Sequence, residues 1–261
     1  MIPDFELIQH EFPDRPDITI VPVGDVHLGS NECMEEEFYD FLKMVKATPN
    51  VYIMLLGDLL DNATKNSIAS PFQQRYRPAE QKKIMSKLLE PVQSRILCGV
   101  QGNHEARSMR DADDCPLYDI MCKLDIEHLY REGMAITKIR MGNNRQNGEV
   151  NPTYILGVTH GAGGGATTGS AVNRCEKFSY VFDGIDAFIF GHSHKPFLTA
   201  PEKIKVDPRN NIVTCVPFKV ITATAWLRYG GYPVKHMLTP ASHCLQTMTL
   251  RGKKKDIIVT M

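Results

Sequence analysis

Five short clusters in this 261-residue chain carry side chains able to hold metal ions: Asp25 with His27, Asp58, Asn103, His160, and His192 with His194. They read Gly24-Asp25-Val26-His27, Gly57-Asp58, Gly102-Asn103-His104-Glu105, His160-Gly161 and Gly191-His192-Ser193-His194. Taken singly, each has an ordinary reading. An Asp after a strand caps a helix or makes a turn, and a lone His sits at the surface or hydrogen-bonded in a core. A His-X-His pair is a stronger signal than a lone His, because residues i and i+2 of a strand share a face. Together the ordinary readings weaken, because four of the nine histidines stand within three residues of Gly or Asp at the ends of apolar runs, and a fifth, His104, follows Asn103. His10, His128, His236 and His243 lack such a setting and read as surface or packing residues.

The donor types select the chemistry. Three carboxylate or amide oxygens and four imidazoles, without a thiolate, suit Mn²⁺, Fe or Zn²⁺ better than a dedicated Mg²⁺ or Ca²⁺ cage. Seven donors are too many for one ion with an open position and suit a pair, with a carboxylate as bridge, one oxygen to each ion. Two divalent transition-metal ions about 3.5–4 Å apart lower the pKa of a shared water and bind two phosphoryl oxygens. They also stabilise attacking and leaving groups, and that is phosphoester hydrolysis.

Such side chains must be delivered by elements that converge. Each cluster follows an apolar, strand-like run: residues 18–23, 51–56, 96–100, 154–159 and 187–190. Phe38, Phe41, Leu42 and Val45 recur at i, i+3, i+4 and i+7, a helical stripe closed by Pro49. Further helices are predicted over 79–90, 116–123 and 171–181, and a hairpin pairs 135–141 with 154–159 through a turn at 142–148. Residues 211–227 and 243–261 read as β-rich. Strands alternating with helices predict an α/β layered fold, the β-rich tail suggesting a second sheet packed on the first. Ligands in such sheets gather at the carboxyl ends of strands.

Composition bounds the rest. Thirty basic residues cancel thirty acidic ones, which excludes a polybasic tail as a source of nucleic-acid affinity. Hydrophobic residues at 43% and charged residues at 23% exclude a disordered chain. No apolar run approaches the roughly 18–20 residues of a membrane span, so no membrane partner is expected. The start, MIPDFELIQHEFPDRPD, has no secretory pattern, and seven cysteines without a CxxC pair read as reduced thiols, so a cytoplasmic location is expected. No repeat or linker divides the chain. A single domain over 1–261 is expected, with the motif core at 18–200 and a β-rich part at 201–261.

The ordered blocks GDVH, GDLLD, GNHE, HG and GHSH resemble those of the calcineurin-like metallophosphoesterases, and the resemblance spans Gly24 to His194. It implies a four-layer α/β/β/α sandwich of two mixed β-sheets flanked by helices. It implies further that Asp25, His27 and His194 hold one metal ion, that Asn103, His160 and His192 hold a second, and that Asp58 bridges them. His104 resembles the family histidine that binds no metal and stabilises the phosphoryl transition state or protonates the leaving oxygen. A metal-bridging hydroxide would be the nucleophile. Glu105 follows His104, as in the phosphoprotein phosphatases. The arginine those enzymes carry after the second block is missing from Gly57-Asp58-Leu59-Leu60-Asp61-Asn62, and they lack GHxH. Asp61 stands near where the nuclease branch has a histidine. The chain resembles a compact, stand-alone relative of bacterial or phage type.

Outside the blocks, the glycine-rich stretch 161–170 lacks the lysine of a P-loop. It reads either as a rim whose N–H groups meet phosphate or as a tolerant surface loop. Arg107 and Arg174 are candidate phosphate contacts, and Lys253 to Lys255 read as a solvated turn. The expected activity is hydrolysis of a phosphodiester, with nucleic acid or a nucleotide as the substrate class. The alternatives are a phosphomonoesterase, protein phosphatases included, and a non-catalytic scaffold.

Overall fold

The computed structural model describes residues 5–65, 67, 71–142, 150–165, 167–235 and 237–261. The expected turn at 142–148 therefore lies, past Gly142, outside the described residues, as do His236 and Ala166 of the glycine-rich stretch.

Two six-stranded sheets form the centre. In chain order the strands are β1 (Leu7–Phe12), β2 (Asp17–Val23), β3 (Val51–Leu55), β4 (Ile96–Val100), β5 (Tyr130–Arg131), β6 (Met134–Met141), β7 (Thr153–Thr159), β8 (Ala187–Phe190), β9 (Phe197–Thr199), β10 (Glu202–Asp207), β11 (Ile212–Pro217), β12 (Lys219–Thr222), β13 (Thr247–Arg251) and β14 (Ile257–Thr260). One sheet runs β14-β13-β2-β3-β4-β5 and the other β1-β6-β7-β8-β12-β9, while β10 and β11 form a separate ribbon. Both sheets are mixed. β2, β3, β4 and β5 are parallel neighbours and β13 runs antiparallel to β2; β7, β8 and β12 are parallel, and β6 runs antiparallel to β7. Strands such as β3, β4 and β8 are buried along their whole length, as strands covered on both faces must be.

The layers follow from which faces are apolar. Helix α1 (Glu35–Ala47) buries the stripe Phe38, Phe41, Leu42 and Val45, each worth about 1.5–3 kcal/mol relative to exposure. It packs, with α2 (Pro78–Leu89) and the helix at Pro116–Lys123, against the core that runs through both sheets. A second cluster, with Phe188, Phe190 and Val220 of the other sheet against Ala171 and Cys175, seats the helix Thr168–Ser179 on the far side. Helix, sheet, sheet, helix is the expected order. Position 78 supplies the proline that opens α2, and Pro116 opens its helix in the same way.

The β-rich tail does not form the second sheet, as expected above; it is divided between the two. β12 extends the sheet of β7 and β8, whereas β13 and β14 close the edge of the β2 sheet. The second sheet is instead built on the β6–β7 hairpin. Elements without an expectation in the sequence include β1, paired parallel to β6; the short strands β5 and β9; the helix Glu105–Ala112; and the β10 side of the ribbon. The helix predicted at 171–181 begins three residues earlier. Lys253 to Lys255 occupy the exposed turn between β13 and β14.

Candidate metal centre

All five clusters leave the carboxyl ends of β2, β3, β4, β7 and β8, and the two sheets bring these ends together. Asp25, His27, Asp58 and His160 are buried, at 0–4% exposure, while Asn103, His104, His192 and His194 stand at the open side. Asp25 Oδ1 lies 3.2 Å from His194 Nε2 and 3.9 Å from His27 Nε2, and the two imidazole nitrogens are 3.3 Å apart. In the second group His160 Nε2 lies 3.0 Å from Asn103 Oδ1 and 3.2 Å from His192 Nδ1. Asp58 Oδ2 stands between the groups, 3.4 Å from His160 Nε2 and 3.8 Å from His27 Nε2. Ligands about 2.1 Å from one cation stand about 3.0 Å apart in an octahedron and about 3.4 Å apart in a tetrahedron; five of these separations lie in that range, and the two from His27 Nε2 to the carboxylates, 3.9 and 3.8 Å, lie beyond it.

Backbone geometry makes the convergence possible. Asp25, His27, Asp58, His192 and His194 all adopt left-handed conformations, with φ between 49° and 65°. For residues other than glycine this costs about 1–2 kcal/mol each. The turns are held by main-chain bonds across loops: Asp25 N–H to the Gly57 carbonyl, His27 N–H to that of Asp58, and Trp226 N–H to that of Asp25. The bend in Gly191-His192-Ser193-His194, past the end of β8, brings both rings to the centre, His192 Nδ1 to His160 and His194 Nε2 to Asp25. Gly57 and Gly102 let two loops touch; a Cβ on Gly57 would stand 2.2 Å from Gly102 N, and one on Gly102 2.1 Å from Asp58 Oδ1.

Each carboxylate commits one oxygen to the backbone and leaves the other for the centre. Asp25 Oδ2 accepts from His192 N–H at 2.8 Å, whereas Oδ1 is buried and accepts no hydrogen bond. Asp58 Oδ1 accepts from His104 N–H at 2.7 Å. Asp58 thus leaves Oδ2 alone for the centre, where the carboxylate by itself offers two oxygens. His160 Nδ1–H donates to the Leu56 carbonyl at 2.6 Å, which directs Nε2 inward. A buried carboxylate oxygen without a donor, facing two imidazoles, is an environment that a divalent cation satisfies. The residues present fit metal ions.

The protonation pattern says the same. Burial and the neighbouring His104 hold His27 well below the ordinary imidazole value. Burial opposes charge on His160, but Asp58 and Asp25 outweigh it and push its pKa up to about 10. Burial also works against Asp58, whose carboxyl is nevertheless held well below the usual range by His160, His104 and His27. Without ions, a proton held by His160 offsets the charge of Asp58.

His104 is oriented by a group absent from the expectations. Its Nδ1 lies 2.7 Å from the main-chain carbonyl of Asp61, whose carboxylate is 3.7 Å away, and its Nε2 stands 3.8 Å from Asp58 Oδ2. Glu105 does not reach the ring. Fully buried, it accepts N–H bonds from Asp58 (2.8 Å), Leu60 (3.1 Å) and Gly102 (3.1 Å), tying the second block to the third. Burial and the charge of Asp58 push its carboxyl up to about 7. Asn62 donates to the His104 carbonyl and to Ser108, and its own N–H is taken by the buried Gln81 of α2. A glutamine on the buried stripe of α2 was the available signal for that support. Arg107 is brought to His104, but Arg174 spends its Nη groups on the carbonyls of Ala162, Gly163 and Gly164, bracing the glycine loop rather than facing the centre. His10 and His243 bond to main-chain carbonyls and His128 is exposed, as packing and surface residues.

Comparison with known proteins gives one family model, calcineurin-like phosphoesterase, matching residues 18–196. No curated protein matches. Among solved structures, an uncharacterized protein from Streptococcus pneumoniae TIGR4, described as a predicted phosphoesterase, is 11% identical over 93% of this chain and 88% of its own, with a TM-score of 0.39. A metallophosphoesterase from Sphaerobacter thermophilus is 15% identical over 90% of this chain and 84% of its own, with a TM-score of 0.37. No helix among the described residues is long and apolar enough to cross a membrane.

Proposed function

The chain belongs to the calcineurin-like phosphoesterases, metal-dependent hydrolases of ester bonds, and from that premise we propose that it cleaves a phosphodiester, with nucleic acid or a nucleotide as the substrate class. Asp25, His27 and His194 would hold one divalent transition-metal ion, Asn103, His160 and His192 a second, with Asp58 common to both. The observation that carries this assignment is the pair of carboxylate oxygens, Asp25 Oδ1, buried without a hydrogen bond, and Asp58 Oδ2, each facing imidazole nitrogens. Manganese, iron and zinc all suit such a set. Bound there, the ions supply Lewis acidity, activating water and neutralising phosphoryl oxygens. His104, with Nδ1–H on the Asp61 carbonyl, turns Nε2 to the centre, where it stabilises the phosphoryl group or protonates the leaving oxygen. Seven free thiols support a cytoplasmic site of action.

The choice of a diester rests on the GHSH block and on Asn62, which stands where the phosphoprotein phosphatases carry arginine. The GNHE block supports the monoesterase alternative. Hydrolysis of a bis-aryl and a mono-aryl phosphate in Mn²⁺ separates them: faster turnover of the bis-aryl ester is expected, and a strong preference for the monoester overturns the diester reading.

A further inference from the structure

Arg107 lies on the first turn of the helix Glu105–Ala112, three residues after His104, so helical spacing sets both on one face. Its Nη1 is 3.2 Å from His104 Nδ1 and 3.5 Å from the Asp61 carbonyl oxygen. That carbonyl, with two lone pairs, is the acceptor on which the histidine N–H and the guanidinium converge. The remaining nitrogens, Nε and Nη2, have no hydrogen-bond partner among the described residues. Asp58, Asp61 and Glu105 bear on the guanidinium electrostatically, but it forms an ion pair with none of them. Arg174, by contrast, is consumed by three carbonyls. An arginine anchored by one Nη, half-buried beside the histidine of the centre, with its other edge unspent, is arranged for an anion.

We propose that Arg107 is a substrate-binding residue: its Nη2 and Nε take a phosphoryl oxygen of the ester while Nη1 stays on the Asp61 carbonyl. The inference rests on the phosphoesterase reading. The anchor removes most of the rotamer freedom that binding would otherwise cost, and the planar fork offers two parallel N–H groups that a lysine ammonium does not reproduce. Because Arg107 and His104 share one acceptor, they address the same phosphate in a fixed relation.

The test compares wild type, Arg107→Lys and Arg107→Gln, each loaded with Mn²⁺, by kcat and KM on a bis-aryl phosphate and by calorimetric binding of inorganic phosphate. Losing one or two charge-assisted hydrogen bonds is expected to raise KM and to weaken phosphate binding by about 10–100-fold in Arg107→Gln, with Arg107→Lys between it and wild type. Metal content is expected to match wild type. Unchanged KM and phosphate affinity in Arg107→Gln overturn the proposal, as does a fall in kcat alone, which would make the residue a positioning group for His104. Should wild type hydrolyse no phosphate ester in Mn²⁺, the phosphoesterase reading fails on its own, and phosphate affinity across the three proteins still decides the role of Arg107.

Discussion

Replacing Glu105 by glutamine tests whether a buried carboxylate fastens the second metal-binding block to the third. The side chain is fully buried and has only donors around it: Asp58 and Gly102 N–H on Oε2, and Leu60 N–H on Oε1. An amide of the same shape keeps the Oε2 pair if its carbonyl takes that place, but its NH₂ then meets the Leu60 N–H, donor against donor at about the 3.1 Å of the native bond. One orphaned buried N–H costs about 1–3 kcal/mol, and because burial and Asp58 disfavour the ionised carboxyl, the neutral amide adds no further cost. At roughly 2–4 °C per kcal/mol for a chain of this size, the thermal midpoint should fall by about 2–12 °C. Circular dichroism at pH 8, where the carboxyl is ionised, measures the shift. A titration with Mn²⁺ should show weaker binding in the variant, because Asp58 is itself held by the lost contact. A midpoint within about 2 °C of wild type, with unchanged metal affinity, would refute the reasoning.

Asp58→Ala should abolish hydrolysis and lower the bound metal measured by elemental analysis; full metal content would remove Asp58 from the shared position. His104→Asn should keep its metal and slow turnover by about 10²–10⁴, and loss of metal would instead make His104 a ligand. Metal affinity should depend on pH with a definite sign. In the ion-free protein His160 keeps its proton up to about 10, so a cation must displace that proton, and apparent affinity should rise about tenfold per pH unit from pH 6 to 9. Calorimetry in buffers of different ionisation enthalpy counts the proton released, and affinity independent of pH would sink the assignment of His160.

The strands that carry the clusters were legible because strands buried on both faces leave continuous apolar runs, and β3, β4 and β8 lie where those runs do. The stripe of α1 was legible for the same reason: Phe38, Phe41, Leu42 and Val45 have the period of a helix and face the core. β1 left no such trace. Leu-Ile-Gln-His-Glu-Phe is a half-exposed edge, and its place beside β6 is decided by long-range pairing. The division of the tail between two sheets is hidden likewise, since nothing in the short runs of β12 and β13 names the strand each will pair with, β8 for one and β2 for the other. In the centre, residue types announced the donors but not their support. The acceptor for His104 is a main-chain carbonyl, which every residue has, so no side-chain pattern could single out Asp61.

Local strain at the centre and the direction of its donors are two sides of one arrangement. Five donors sit in left-handed conformations that L-residues disfavour, yet each conformation aims a side chain at a point shared with a loop from another strand. Main-chain bonds between loops hold them there, and each carboxylate is fixed through one oxygen so that the other cannot turn away. The donors are therefore ordered before any ion arrives, at a cost that the rest of the fold bears. Binding then need not bring flexible side chains together; it must remove the proton held beside Asp58 and satisfy Asp25 Oδ1. On this reasoning the affinity of the centre resides as much in Glu105, Gln81 and the glycines that let the loops touch as in the donors themselves, and substitutions in that support should weaken metal binding without changing a single ligand.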